Sequence, residues 1–279
     1  MLDNLIFLAP PIVACVILAG ILSYFGNHIL TRGIIFIDIA VAQIAALGTM
    51  IGILLGYAEE SAQVQYISYG ATLLVLAVFA LSKGRKQLLP QEAVIGILYC
   101  IALGLALLLA EKIPGGSNYI TKTITGNVLW VTWKSILMCF IIVAIVALIH
   151  VFTGPRLREI TMGVNPMQNT KLRDSMIEMV FYVSFGIIIV KAVPVLGIFM
   201  VFILLIAPAA IVRLFTENWK KRILWSWLVG ATGSIVGMYG SFQLNISNGP
   251  AIVCILGIVA LLLTFLKLFS RSKATFKTS

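Results

Sequence analysis

Few ionisable residues interrupt the apolar runs of this sequence, and the acids among them are Asp38, Glu92 and Glu178. Asp38 sits in RGIIFIDIAVAQIAALG (residues 32–48), where only apolar residues, alanine and Gln43 follow it through the next turns. A charge embedded in a membrane span costs about 2.5–3.5 kcal/mol on insertion scales, so a carboxylate there has a partner or a task. It lies six residues beyond Arg32, about 9 Å along a helix from one membrane face, which lowers that cost. A second reading makes Asp38 the cap of a helix beginning at Ile39, since free N–H groups favour an acid. Gln43 is the nearest polar neighbour, but five residues place it about 140° round a helix, so only a bulge would bring the two side chains together.

The other polar candidates have milder readings. Glu92 follows Leu89-Pro90-Gln91 and suits the N-terminal turn of its span, while Glu178 lies near Arg173 and Asp174 as an interfacial ion-pair member. His28 and His150 fall at span ends and read as interfacial residues rather than ligands. Cys15, Cys100, Cys139 and Cys254 lie singly in separate apolar runs, which is neither a disulfide framework nor a Cys-x-x-Cys metal site.

The elements that carry these residues are membrane helices. Hydrophobic residues make up 61% of 279 positions and charged residues 11%, with mean hydropathy +1.07, far from the balance of a water-soluble domain. Apolar runs of about 20 residues, enough to cross a hydrocarbon core as a helix, follow one another almost without a break. They predict an all-α, polytopic bundle of about eight or nine spans forming a single transmembrane domain over 1–279. The spans fall near 5–26, 34–56, 66–82, 92–110, 128–151, 176–191, 194–213, 223–240 and 250–269. The first has Asp3, no Lys or Arg ahead of it and no small-residue cleavage pattern behind it, so it reads as a span and not a leader. Val193-Pro194, close behind Lys191, predicts a break that separates the sixth and seventh spans or makes them a re-entrant pair.

Sixteen of the twenty basic residues fall on alternate connections, including Arg32, Lys83, Arg85, Lys86, Arg156, Arg158, Arg213 and the C-terminal tail. That asymmetry predicts a cytoplasmic C-terminus, and it makes the net charge of +10 a topology signal that gives no reason to expect nucleic acid. The longest basic connection, GPRLREITMGVNPMQNTKLRD (154–174), predicts a short cytoplasmic helix over 156–162, stopped by Gly163 and kept from continuing by Pro166. Gly48, Gly52 and Gly56, like Gly233 and Gly237, repeat every four residues and predict close helix packing.

No phosphate-binding Gly-x-x-x-x-Gly-Lys-Ser/Thr loop, His-Glu-x-x-His helix or Gly-x-Ser-x-Gly elbow is present, so the chain reads as a non-enzyme that does not hydrolyse ATP alone. Several segments in order resemble the permeases of bacterial zinc, manganese and iron ABC transporters: Arg32 to Gly48, EAVIGILYCIALGLALL (92–108), GNVLWVTWKSI (126–136) and MGVNPMQNTKL (162–172). The most specific is VPVLGIFMVFILLIAPAA (193–210), a Gly-led apolar helix ending in Pro-Ala-Ala.

The resemblance implies an importer of divalent metal ions in a bacterial cytoplasmic membrane, in which two permeases, identical or sister chains, form the path. A cytoplasmic ATP-binding subunit would use the ATP, an extracytoplasmic metal-binding protein would deliver the ion, and this chain would hold no cofactor. The coupling segment would be 154–172, with Arg156, Arg158, Glu159 and Gly163 facing the ATPase. Asp38 and Gln43 would line the pathway, with Asp38 a transient metal contact. Two departures stand out: Ala42 occupies the position four beyond Asp38 where the family commonly has His, and NISNGP (245–250) keeps only Gly249 and Pro250 of the family's Asp-x-Pro-x-Gly-Pro. These leave an ABC permease for a metal chelate or siderophore as the nearest alternative, ahead of a proton-coupled secondary transporter.

Overall fold

The computed structural model describes residues 2–82, 89–163 and 171–275. Among the described residues all regular structure is helical. The helices are α1 (Leu2–Arg32), α2 (Ile37–Leu54), α3 (Ala62–Ser82), α4 (Gln91–Ala110), α5 (Gly116–Thr125), α6 (Trp133–Thr161), α7 (Lys171–Leu196), α8 (Ile198–Arg213), α9 (Trp219–Leu244) and α10 (Asn248–Thr275), with a 3-10 turn at Val128–Trp130. Eight are long and apolar enough to cross a membrane, and α8 is a shorter apolar helix. Its 16 residues span about 24 Å, just short of a ~30 Å hydrocarbon core.

Contacts define two ends of the bundle. At the basic end, Arg213 at the close of α8 donates to the Leu30 carbonyl of α1 at 3.3 Å, and Arg32 of α1 lies 3.7 Å from Glu178 near the start of α7. At the opposite end, the turn after α5 meets the α7–α8 break. There the Asn127 N–H donates to the Val195 carbonyl at 3.2 Å, and a Cβ on Gly126 would lie 2.6 Å from the Gly197 nitrogen. Gly126 and Gly197 have φ of +80° and +79°, so both the space and the backbone exclude larger residues. Gly249, opening α10, packs against Thr125 in the same knot.

The core is built on α8, where Ile198, Met200, Val201, Leu204, Leu205, Ala207, Ala209, Ile211 and Val212 are all buried. The Gly-led motif is therefore the central helix. α1, α9 and α10 surround it, and at Gly26 the α1 backbone runs against the Leu205 carbonyl with no room for a Cβ. Gly48 and Gly52 bring α2 against Ser68 and Val64 of α3, and Gly233 and Gly237 bring α9 against Leu256 and Ile252 of α10. Gly56 does not extend the first strip. It follows the end of α2 at φ +92° with no neighbour for a Cβ.

Two expected boundaries move. The separate helix predicted over 156–162 is the continuation of α6, which runs through Pro155 to Thr161 and stops at Gly163 with φ +70°. Pro155 has no N–H for the Val151 carbonyl, yet the helix runs through it. Likewise α7 continues through Lys191 and Pro194, and the break falls at Gly197. Pro166, with the rest of 164–170 in the predicted coupling segment, and Lys83, Arg85 and Lys86 lie outside the described residues.

Candidate functional site

Asp38 is the second residue of α2, after Phe36 at the N-cap position, so it sits in the first turn without being the cap. Its carboxylate lies beside the backbone N–H groups of Asp38 and Ile39, but among the described residues Oδ1 has no hydrogen-bond partner although Asp38 is only 1% exposed. A buried acid with an unused oxygen is a place where a passing cation gains an interaction. Gln43 faces elsewhere, because α2 is a continuous helix with no bulge. It lines a cavity of about 10 Å³ with Ala46, Met50, Ala106, Tyr119 and Thr123, where α2, α4 and α5 meet. That is room for about one water. Ala42 is buried in the core, and among the described residues no three His, Cys, Asp or Glu side chains gather to hold a metal ion.

The link from α1 to Asp38 is short and tied down. Gly33, at φ +70°, ends α1, and the Ile34 N–H returns to the Ile29 carbonyl at 3.3 Å, a Schellman-type closure. The Ile37 N–H then bonds the Ile34 carbonyl at 3.3 Å. Glu92 is in the first turn of α4, but it makes no capping bond there: its Oε1 accepts the Ile35 N–H of this link at 2.7 Å.

Beside the link runs a buried polar seam. Tyr24, His28 and Arg32, and in parallel Ser23, Asn27 and Thr31, repeat at four-residue spacing along α1. The Asn27 amide nitrogen donates to the Ser23 carbonyl and to Ser226 Oγ, and its oxygen accepts from Arg222 Nε at 3.1 Å. His150 bonds Ser184 Oγ through Nε2 at 2.8 Å and the Tyr24 hydroxyl through Nδ1 at 3.0 Å. His28 Nδ1 and Thr161 Oγ1 share a hydrogen at 2.8 Å, and Arg32 Nε donates to the same oxygen at 3.2 Å. Both histidines are thus buried and bonded rather than interfacial, because α1 and α6 extend beyond the apolar runs and bury these turns against each other.

The residues assigned to coupling occupy the last two turns of α6. Arg158, Glu159, Met162 and Gly163 are exposed at the basic end. Arg156 turns inward, pairing with Asp174 of α7 at 2.9 and 3.1 Å and with Glu159 at 2.6 Å. Glu178 pairs with Arg32 across the bundle.

The sequence profile of the ABC 3 transport family matches residues 4–267. The chain belongs to the ABC 3 transport family. As a member of the ABC 3 transport family it is a multi-pass membrane protein of the ABC transporter class. It is 24% identical over 263 residues to the manganese transport system membrane protein MntC of Listeria monocytogenes, covering 91% of this chain and 88% of the relative. It is 23% identical over 173 residues to the chelated iron transport system membrane protein YfeC of Yersinia pestis, covering 62% of this chain and 58% of the relative. PsaBC from Streptococcus pneumoniae, solved in complex with Fab, shares the fold with a TM-score of 0.77 at 19% identity, covering 94% of this chain and 93% of that one. Two of the segments that carry the resemblance to ABC 3 permeases meet in space, since residues 126–127 and 195–197 join, with Gly249, in the knot at the end opposite the basic one.

Proposed function

We propose that this chain is the membrane permease of an ATP-driven importer of divalent metal ions, seated in the bacterial cytoplasmic membrane with its basic end inside. The observation that carries the reading is Asp38: a buried carboxylate near the basic end, with an unpartnered oxygen, in a chain of the ABC 3 transport family. Relatives named for manganese and chelated iron support a metal as cargo. Oxygen ligands with no thiolate or imidazole alongside suit manganese ahead of zinc. One acid per subunit binds weakly and releases easily, as a conduit requires.

Two such permeases, identical or sister chains, enclose the path between them. A separate ATP-binding subunit docks on Arg158, Glu159, Met162 and Gly163, the exposed end of α6. Its closure rocks the spans between two packings, a rigid-body mode that packed helices permit. A separate extracytoplasmic protein delivers the ion, because the connections at the opposite end are short. The test is ATP-dependent uptake by liposomes holding the whole complex, with Mn2+, Fe2+, Zn2+ and an iron chelate supplied in turn. Uptake of free Mn2+ or Fe2+ supports the reading, uptake of the chelate alone redirects it to a chelate permease, and uptake without ATP contradicts it.

A further inference from the structure

The end of α6 that faces the proposed ATP-binding subunit and the acid proposed to meet the ion are on different helices, yet a continuous chain of bonds joins them. Thr161, the last residue of α6, lies on the buried side of the turn whose other side exposes Arg158, Glu159 and Met162. Its hydroxyl is held by both His28 and Arg32 of α1. Arg32 is held in turn by the Phe181 ring, 4.3 Å from its Cζ, and by Glu178. Of the four residues between Arg32 and Ile37, two have bonded N–H groups, Ile34 to Ile29 and Ile35 to Glu92, and Ile37 at the start of α2 bonds back to Ile34. Asp38 follows immediately. No slack loop lies between the Thr161 hydroxyl and the Asp38 carboxylate.

We propose that Thr161 is a positioning residue that passes the stroke of the ATP-binding subunit from the end of α6, through His28, Arg32 and the Glu92-pinned link, to Asp38. This rests on the importer reading above and adds to it which bonds carry the motion. When α6 is pushed, α1 follows because the shared hydroxyl is its buried polar tie to that turn. The last turn of α1 carries the closed link with it, and Glu92 makes α4 the fixed point about which the start of α2 turns. Asp38 then changes its exposure to the path in step with ATP. Loss of the hydroxyl leaves the docking surface intact and removes the tie, so hydrolysis continues while transport lags.

The test uses the whole transporter in liposomes, with Mn2+ uptake and ATP hydrolysis read on the same preparation. Allosteric couplings are commonly worth about 5- to 150-fold, so Thr161→Val is expected to move at least ~10-fold fewer ions per ATP while hydrolysis stays within ~3-fold of wild type. Thr161→Ser retains the wild-type ratio. Glu92→Ala repeats the loss, and Glu92→Gln, which still offers an oxygen to the Ile35 N–H, restores it. An unchanged ratio in Thr161→Val, or a parallel fall in uptake and hydrolysis, overturns the relay and leaves the importer reading in place. If Thr161→Val does not assemble, Glu92→Ala decides by the same ratio, and normal coupling there overturns the relay. A wild-type complex that hydrolyses ATP but moves no metal overturns the importer reading and the relay together.

Discussion

Glu92, in the first turn of α4, accepts the backbone N–H of Ile35 at 2.7 Å, three residues ahead of Asp38. A side chain from one span thereby fixes the entry of another. Glu92→Ala strips that N–H of its acceptor in a part-buried site, which costs about 1–3 kcal/mol, whereas Glu92→Gln costs less because an amide oxygen replaces the carboxylate. Melting of the purified protein in detergent, ranked wild type, Gln, Ala, checks the order.

The knot of glycines opposite the basic end gives a contrast. At Gly197, with φ +79°, a Cβ would lie 2.7 Å from the Ile124 carbonyl oxygen, while at Gly163, with φ +70°, nothing among the described residues lies within 4 Å. Gly163→Ala therefore meets only the left-handed backbone penalty of about 1–2 kcal/mol. Gly197→Ala meets the same penalty plus a backbone clash, and is expected to lose monodisperse protein on size-exclusion chromatography where Gly163→Ala does not.

Asn27 and Arg222 behave as a unit. Asn27→Leu leaves the Arg222 Nε donor without its acceptor in a buried site, and losing a hydrogen bond to a charged group costs about 1.5–3 kcal/mol. Adding Arg222→Met removes the stranded charge. The double variant is expected to melt above Asn27→Leu alone, a non-additivity that a double-mutant cycle measures directly.

Ala42→His restores the Asp-x-x-x-His spacing common in related permeases but does not restore a site. Ala42 is 1% exposed on α2, which packs against α3, α4, α7 and α8, and overpacking such a position costs about 1–3 kcal/mol. A lower melting temperature than wild type is the expected reading.

Much of this molecule was legible from apolar runs and basic connections, because a span must satisfy its backbone internally and its length is set by the membrane. The alternation of Arg32, Arg156, Arg213 and Arg222 at one end follows from the same rule. Boundaries at prolines were harder to read. Pro155 and Pro194 sit inside helices, and the true break at Gly197 is set by its contact with Gly126, distant in sequence. Reading the histidines one at a time hid the seam on α1, although Tyr24, His28 and Arg32 at four-residue spacing carry its signal. The partners that bury them, Thr161, Ser184 and His150, come from other helices and leave no local trace. Asp38 and Gln43, five residues apart on one continuous helix, lie on different faces of α2, and Gln43 meets the small cavity beside α5.

The importer reading requires that Asp38 meet the ion. Its most direct test is Asp38→Asn in the reconstituted complex, because the amide keeps the size of the side chain and removes its charge. Mn2+ uptake at saturating ATP is expected to fall at least ~10-fold, corresponding to ~1.4 kcal/mol or more of lost interaction with the moving ion, while the complex still assembles and hydrolyses ATP. Uptake equal to wild type in an assembled Asp38→Asn complex would contradict it.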